Sequence, residues 1–242
     1  MSETETKILL SIFAVVPALI WLKFYLSKDD HPEPPIYLFL TFLGGAGFLF
    51  IGRIFYYAYG EMCKYFFGFE LSVNFETVGI FGVALLATLE EILKYIPVRI
   101  MDIKSKVLDE PVDMIIYMVT SALGFAATEN IGYVIRQFQF EGIHSAVGLN
   151  ILRSFTSVVL HALASGIFGY ILAFEFLKGK KRLIIWLSGL FMAALLHTIF
   201  NYFIISIGDG ILVLILLLFS SFFLLEAIQY LKNLNINYII KE

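Results

Sequence analysis

The sequence predicts an all-α membrane protein, a polytopic bundle of about seven transmembrane helices with the N-terminus outside and the C-terminus in the cytoplasm. Three observations carry this. The chain of 242 residues is 60% hydrophobic and only 15% charged, with a mean hydropathy of +0.86, against roughly 45–50% apolar and 25% charged in soluble domains. Seven stretches reach the roughly 20 apolar residues that a spanning helix needs. Most of the basic residues between those stretches fall on one side of a seven-span arrangement, with Lys64 and Arg136 beside acidic residues on the other.

The elements follow in order. The acidic opening "MSETETK" precedes a first span at 8–26, and no small-residue cleavage site follows it, so a retained helix is expected and not a removed signal peptide. Pro32, Pro34 and Pro35 in "SKDDHPEPP" forbid helix and force an extended turn before the second span at 36–58. The aromatic-rich segment 61–76 is too mixed to span and is expected in the outer interface. Further spans are expected at 77–98, 113–136, 147–177, 183–206 and 210–231. The fifth is long enough to begin as an interfacial segment or to run strongly tilted. Lys28, then Arg99, Lys104 and Lys106, then Lys178, Lys180, Lys181 and Arg182, then Lys232 and Lys241 all lie on one side, which the positive-inside rule makes cytoplasmic. One integral-membrane domain, 1–242, in the cell membrane is the expected organisation, with the motif-bearing core at about 77–206.

Composition also excludes functions. A formal net charge of -3 offers no basic field for nucleic acid. A lone cysteine, Cys63, permits no intrachain disulfide and no cysteine-based metal site. No G-x-S-x-G, G-x-G-x-x-G or Walker-type loop is present.

Strongly polar residues nevertheless stand inside four consecutive spans: Glu90, Glu91 and Lys94; Glu129 and Asn130; Arg153 and His161; His197 and Asn201. A charge at mid-bilayer costs about 2.5–3.5 kcal/mol even on lenient insertion scales, so these groups are expected to face one another or a wet cavity. Glu90 and Lys94 are four apart and suited to pair, leaving Glu91 to a different environment about 100° around the helix. His197 and Asn201 project together, and Arg153, Ser157 and His161 form an i, i+4, i+8 stripe. Small residues at Gly124, Thr128 and Gly132, and at Ser165, Gly166 and Gly169, allow the fourth and fifth helices to approach closely. Any one pair reads as a structural ion pair or interhelical glue, but three carboxylates and two imidazoles on successive spans point to function.

Two hydrolytic chemistries suit the set. In one, Glu90 or Glu91 takes a proton from water while His197 and Asn201 stabilise an oxyanion, Glu129 and His161 act as partners, and Lys94 and Arg153 orient the charges. In the other, one Zn²⁺ is held by Glu129, His161 and His197, with Glu90 or Glu91 as base. The absence of H-E-x-x-H and the pairing of His197 with Asn201 tip the balance toward metal-independent glutamate chemistry, with one zinc as the alternative. Outside hydrolysis, a proton- or ion-coupled transporter would use the same carboxylates as a relay, although no inverted repeat is visible.

In order, Glu90-Glu91-x-x-Lys94, Asp113 to Tyr117 leading into Gly124-Phe-Ala-Ala-Thr-Glu-Asn130, Arg153 with His161 and Gly169, and His197-x-x-x-Asn201 resemble the PrsW family of bacterial intramembrane proteases. The turn "DDHPEPP" is similar to that family's acidic Glu-Pro segment. Phe125-x-x-x-Glu129 stands where the related CAAX prenyl endopeptidases have F-x-x-x-H, which favours PrsW over a prenyl-protein or membrane-peptide protease. The resemblance implies an endopeptidase whose partners are the bilayer and a single-pass membrane protein. It further implies first-site cleavage of an anti-sigma factor, on its extracytoplasmic side.

Overall fold

The computed structural model describes residues 2–67, 75–105, 108, 110–177 and 183–239, and among these it is helical apart from turns and caps. The helices are α1 (Glu3–Leu26), α2 (Pro35–Phe67), α3 (Phe75–Ser105), α4 (Asp113–Glu141), α5 (Ile143–Phe155), α6 (Ser157–Leu177), α7 (Leu183–Tyr202) and α8 (Gly210–Ile239), with a π-helical turn at Phe203–Ile207 between the last two. A capping box starts α1, with the Ser2 hydroxyl accepting from the Glu5 amide and the Glu5 carboxylate accepting from the Ser2 amide. Pro35 opens α2, at a position where its missing N–H would be unpaired anyway.

Helix α4 is the axis of the bundle. Apart from Met114, its residues from Asp113 to Ala127 are buried, and α1, α2 and α6 pack against it. Close approach depends on glycine, as expected for helices that meet in a membrane. Gly45 of α2 faces the Ser121 carbonyl of α4, and Gly124 of α4 faces the Phe42 carbonyl of α2, both with no room for a side chain. A Cβ on Gly169 of α6 would lie 2.5 Å from the Met114 oxygen and 2.8 Å from Ile115 Cα. Since backbone cannot yield as a flexible side chain would, Gly169→Ala is expected to force α4 and α6 apart and to cost about 1–3 kcal/mol. A thermal unfolding midpoint in detergent several degrees below wild type is the expected reading.

Two spans differ from expectation. The stretch 147–177 is broken: Thr156, at φ -120 and ψ -88, ends α5 and lets α6 start in a new direction. The early part of that stretch is thus a separate amphipathic helix, tied to α1 by the Trp21 indole donating to the Ser154 carbonyl at 2.8 Å. The second difference is α3. Six helical stretches among the described residues are long and apolar enough to cross a membrane, counting α5 with α6 as one, and α3 is not among them. Glu90, Glu91 and Lys94 interrupt its apolar run, and Glu91 and Lys94 are fully buried in the bundle rather than facing lipid. Gly79, at φ 62, kinks its beginning. The basic segment 178–182 and residues 68–74 of the aromatic-rich segment lie outside the described residues.

Candidate active site

The polar residues of four helices and of α5 converge. On α3, Lys94 Nζ lies 2.6 Å from Glu91 Oε1 and 2.7 Å from Nδ1 of His161 on α6. Glu91 also accepts from the Ser165 hydroxyl of α6 at 2.6 Å, on Oε2, and meets Nδ1 of His197 on α7 at 3.0 Å, on Oε1. Every oxygen of this fully buried carboxylate therefore has a donor, which is what makes a buried charge tolerable. The pairing differs from the expected one. Lys94 binds Glu91, three residues before it, and stands 3.9 Å from Glu90, because Glu91 shares the face of α3 that looks at α6 and α7.

Glu90 lies about 100° away on α3 and lines a cavity of about 780 Å³. Its Oε2 is buried without a hydrogen-bond donor, 3.7 Å from His197 Nε2. Glu129 of α4 lines the same cavity, bonded by Arg153 Nη2 at 2.5 Å and lying 3.2 Å from His161 Nε2. Arg153 also donates from Nε to Asn130 Oδ1 at 2.9 Å and stacks over the Tyr133 ring, 3.9 Å from its centroid. The expected stripe through Arg153, Ser157 and His161 is thus not one helix face, since the Thr156 break separates them, yet both Arg153 and His161 reach Glu129. Asn130 donates to the Ala14 carbonyl at 2.8 Å and to Asn150 at 2.6 Å, which makes it the joint of α1, α4 and α5. Asn201 stands on the cavity wall beside His197.

The hydrogen bonds assign proton positions. A carboxylate can only accept, so His197 carries a proton on Nδ1 toward Glu91, while its Nε2 faces Glu90. The Lys94 ammonium can only donate, so His161 Nδ1 accepts and its Nε2–H points to Glu129. The two imidazole rings stand perpendicular with centroids 5.1 Å apart. Ligand atoms of Glu90, His161 and His197 lie within 4.8 Å of one another. This set differs from the expected metal set by exchanging Glu129 for Glu90, since Arg153 occupies Glu129.

Sequence reading missed two contributors. Ser165 is expected only as a small packing residue, although its position one turn after His161 is a usable signal. The α2 wall of the cavity, with Leu49, Gly52, Arg53 and Tyr56, is the other, although Arg53 is a charge inside the expected span 36–58.

A helical bundle that gathers buried carboxylates, imidazoles and an ammonium beside a cavity has the make-up of a membrane-embedded hydrolase. The chain belongs to the PrsW family of intramembrane metalloproteases: residues 33–226 match the family described as PrsW family intramembrane metalloprotease. It is 31% identical over 204 residues to Protease PrsW of Clostridioides difficile (strain 630), covering 81% of this chain and 79% of that protein. Protease PrsW of Halalkalibacterium halodurans is 28% identical over 218 residues, with coverages of 90% and 87%. Protease PrsW of Bacillus subtilis (strain 168) is 27% identical over 199 residues, with coverages of 81% and 83%. No solved structure gives a significant match. The chain is therefore a multi-pass membrane peptidase.

Proposed function

We propose that the chain is an intramembrane endopeptidase that cuts a single-pass membrane protein of the anti-sigma-factor type, with one zinc held by Glu90, His161 and His197. The convergence of these three residues from α3, α6 and α7 carries the reading. Two further features fit a metal. Glu90 Oε2 is a buried acceptor without a donor, and His197 gives its other nitrogen to a carboxylate, the arrangement that orients metal-binding histidines. A carboxylate oxygen and two imidazole nitrogens form a common catalytic zinc set with a position left for water. His161 would release its Nε2 proton on ligation.

When bound, the metal supplies Lewis-acid polarisation of water and of the scissile carbonyl. The chain's own groups do the rest. Glu91, fixed by Lys94 and Ser165, sets the His197 ring and its tautomer. Glu129 is the remaining cavity carboxylate; Arg153 holds its Oε2, and its other oxygen receives the proton of the attacking water and returns it to the leaving amine. The Asn201 amide donates to the developing oxyanion from the cavity wall. The basic residues distributed on one side of the spans support an external N-terminus and a cytoplasmic C-terminus. The anti-sigma substrate rests on the likeness of motifs to the PrsW family.

Metal analysis of purified protein is the test. About one zinc per chain is expected, with cleavage lost on chelation and restored by zinc, and with zinc lost in His161→Ala. Full cleavage by exhaustively chelated protein would overturn the metal assignment and leave glutamate chemistry alone.

A further inference from the structure

The cavity that holds Glu90 and Glu129 carries a second charge pattern that the chemistry does not use. Glu129, Gly132 and Arg136 stand at i, i+3 and i+7 on one face of α4, and Gly52, Arg53 and Tyr56 line the same cavity from α2. Arg53 reaches across from α2 and lies over Gly132, where a Cβ would meet its Nη2 at 2.7 Å. Arg136 follows one turn further along α4. Two guanidiniums carried by two different helices thus border the cavity beyond Glu129.

Neither is neutralised within the chain. Among the described residues, no carboxylate pairs with Arg53 or Arg136 and neither guanidinium donates a hydrogen bond; Arg136 only rests against the Phe140 ring, 5.8 Å from its centroid. The two carboxylates of the cavity are held elsewhere, Glu129 by Arg153 at 2.5 Å and Glu90 beside Lys94 at 3.9 Å and His197 at 3.7 Å. Both arginines are exposed, yet both stand inside stretches apolar enough to cross a membrane, Pro35–Met62 and Asp113–Glu141. Charge in such a stretch is costly unless a partner or a ligand meets it, and two like charges bordering one cavity favour an anion between them.

We propose that Arg53 and Arg136 form a subsite for an acidic side chain of the substrate, an aspartate or glutamate about three residues from the scissile bond. The subsite rests on the peptidase reading above and adds the chemistry by which the substrate is chosen. Its register follows from geometry: Arg136 is seven residues after Glu129, about 10 Å along the helix, and an extended chain covers about 3.3 Å per residue. The guanidinium fork fits a carboxylate through two parallel hydrogen bonds. A chain laid along this face of α4 with its scissile bond at Glu129 passes both arginines, whereas an anionic lipid seated there would occupy the path of the substrate.

The test uses the full chain in detergent and labelled peptides, each an apolar span followed by a neutral segment. One glutamate is moved stepwise through the end of the span and the segment after it, with glutamine at the same place as the control. Binding is read by fluorescence anisotropy, independently of cleavage. Wild type is expected to bind a glutamate peptide at least about tenfold more tightly than its glutamine twin at one or two adjacent positions, with the preference shrinking at high salt. Arg53→Gln and Arg136→Gln are each expected to erase most of that preference while binding the glutamine peptides as wild type does. Mass spectrometry of peptides that are cut is expected to place the bond about three residues from the preferred glutamate. Equal or unmeasurable binding of glutamate and glutamine peptides by wild type, or a preference that survives both substitutions, overturns the proposal. So does an arginine-dependent response to added phosphatidylglycerol with no discrimination between the peptides, which would make the pair a lipid site. Glutamate-selective, arginine-dependent binding without any cleavage, even with zinc added, would support the subsite and count against the peptidase reading instead.

Discussion

Glu90→Gln is expected to yield a protein that inserts and folds as wild type but cleaves its substrate at least about 10³-fold more slowly. The two halves of this expectation have separate causes. Folding survives because Glu90 is 27% exposed on the cavity and its Oε2 receives no hydrogen bond, so an amide of the same shape leaves no partner stranded. Activity fails because the amide oxygen is a poor metal ligand and a poor base, and the carboxylate it replaces lies close to both His197 and the Lys94 ammonium. The measurement is co-expression with a single-pass protein tagged at both ends, with fragments followed by blotting and enzyme level by the same blot. Wild-type rates from Glu90→Gln at normal abundance would remove Glu90 from the chemistry.

Substitution one residue on is expected to do the opposite. Glu91→Ala leaves the Ser165 hydroxyl and the His197 Nδ1–H buried without their acceptor and Lys94 without its nearest counter-charge, and removing one partner of a buried ion pair costs about 3–5 kcal/mol. Against a typical total of about 5–15 kcal/mol, this removes a large share of the stability. Low abundance and a strongly lowered unfolding midpoint are expected, whatever happens to activity. The pair Glu91→Leu with Lys94→Met, which removes both charges together, is expected to recover a substantial part of the loss in a double-mutant cycle. A Glu91→Ala protein as stable as wild type would show that the Glu91–Lys94 pair is not the buried brace described here.

Much of this site was legible in the sequence, because charge inside an apolar run is a strong signal: Glu90, Glu91, Lys94, Glu129, Arg153, His161, His197 and Asn201 were all visible before any coordinates. Their partition was not. Adjacent residues differ by about 100° around a helix, and helical spacing favoured Glu90 with Lys94, whereas the positions of Ser165 and His197 make Glu91 the braced carboxylate and Glu90 the open one. The choice between Glu129 and Glu90 as the third member of the proposed metal set was invisible for a related reason. It turns on where Arg153 lands, and that depends on the break at Thr156, a residue with no Gly or Pro beside it to announce a bend. The span count was readable from composition, and α3 tolerates three charges in its apolar run because Glu91 and Lys94 are satisfied inside the bundle.

The most direct measurement is cleavage by purified components. A tagged anti-sigma-type single-pass protein, purified in detergent, is incubated with purified wild-type or Glu90→Gln enzyme, and the products are identified by mass spectrometry. A single cut in or beside the substrate's apolar span by wild type, absent with Glu90→Gln, is the predicted result. Equal cutting by both enzymes, or no cutting by either while vesicles holding the wild-type protein show a Glu90-dependent proton flux, would contradict it.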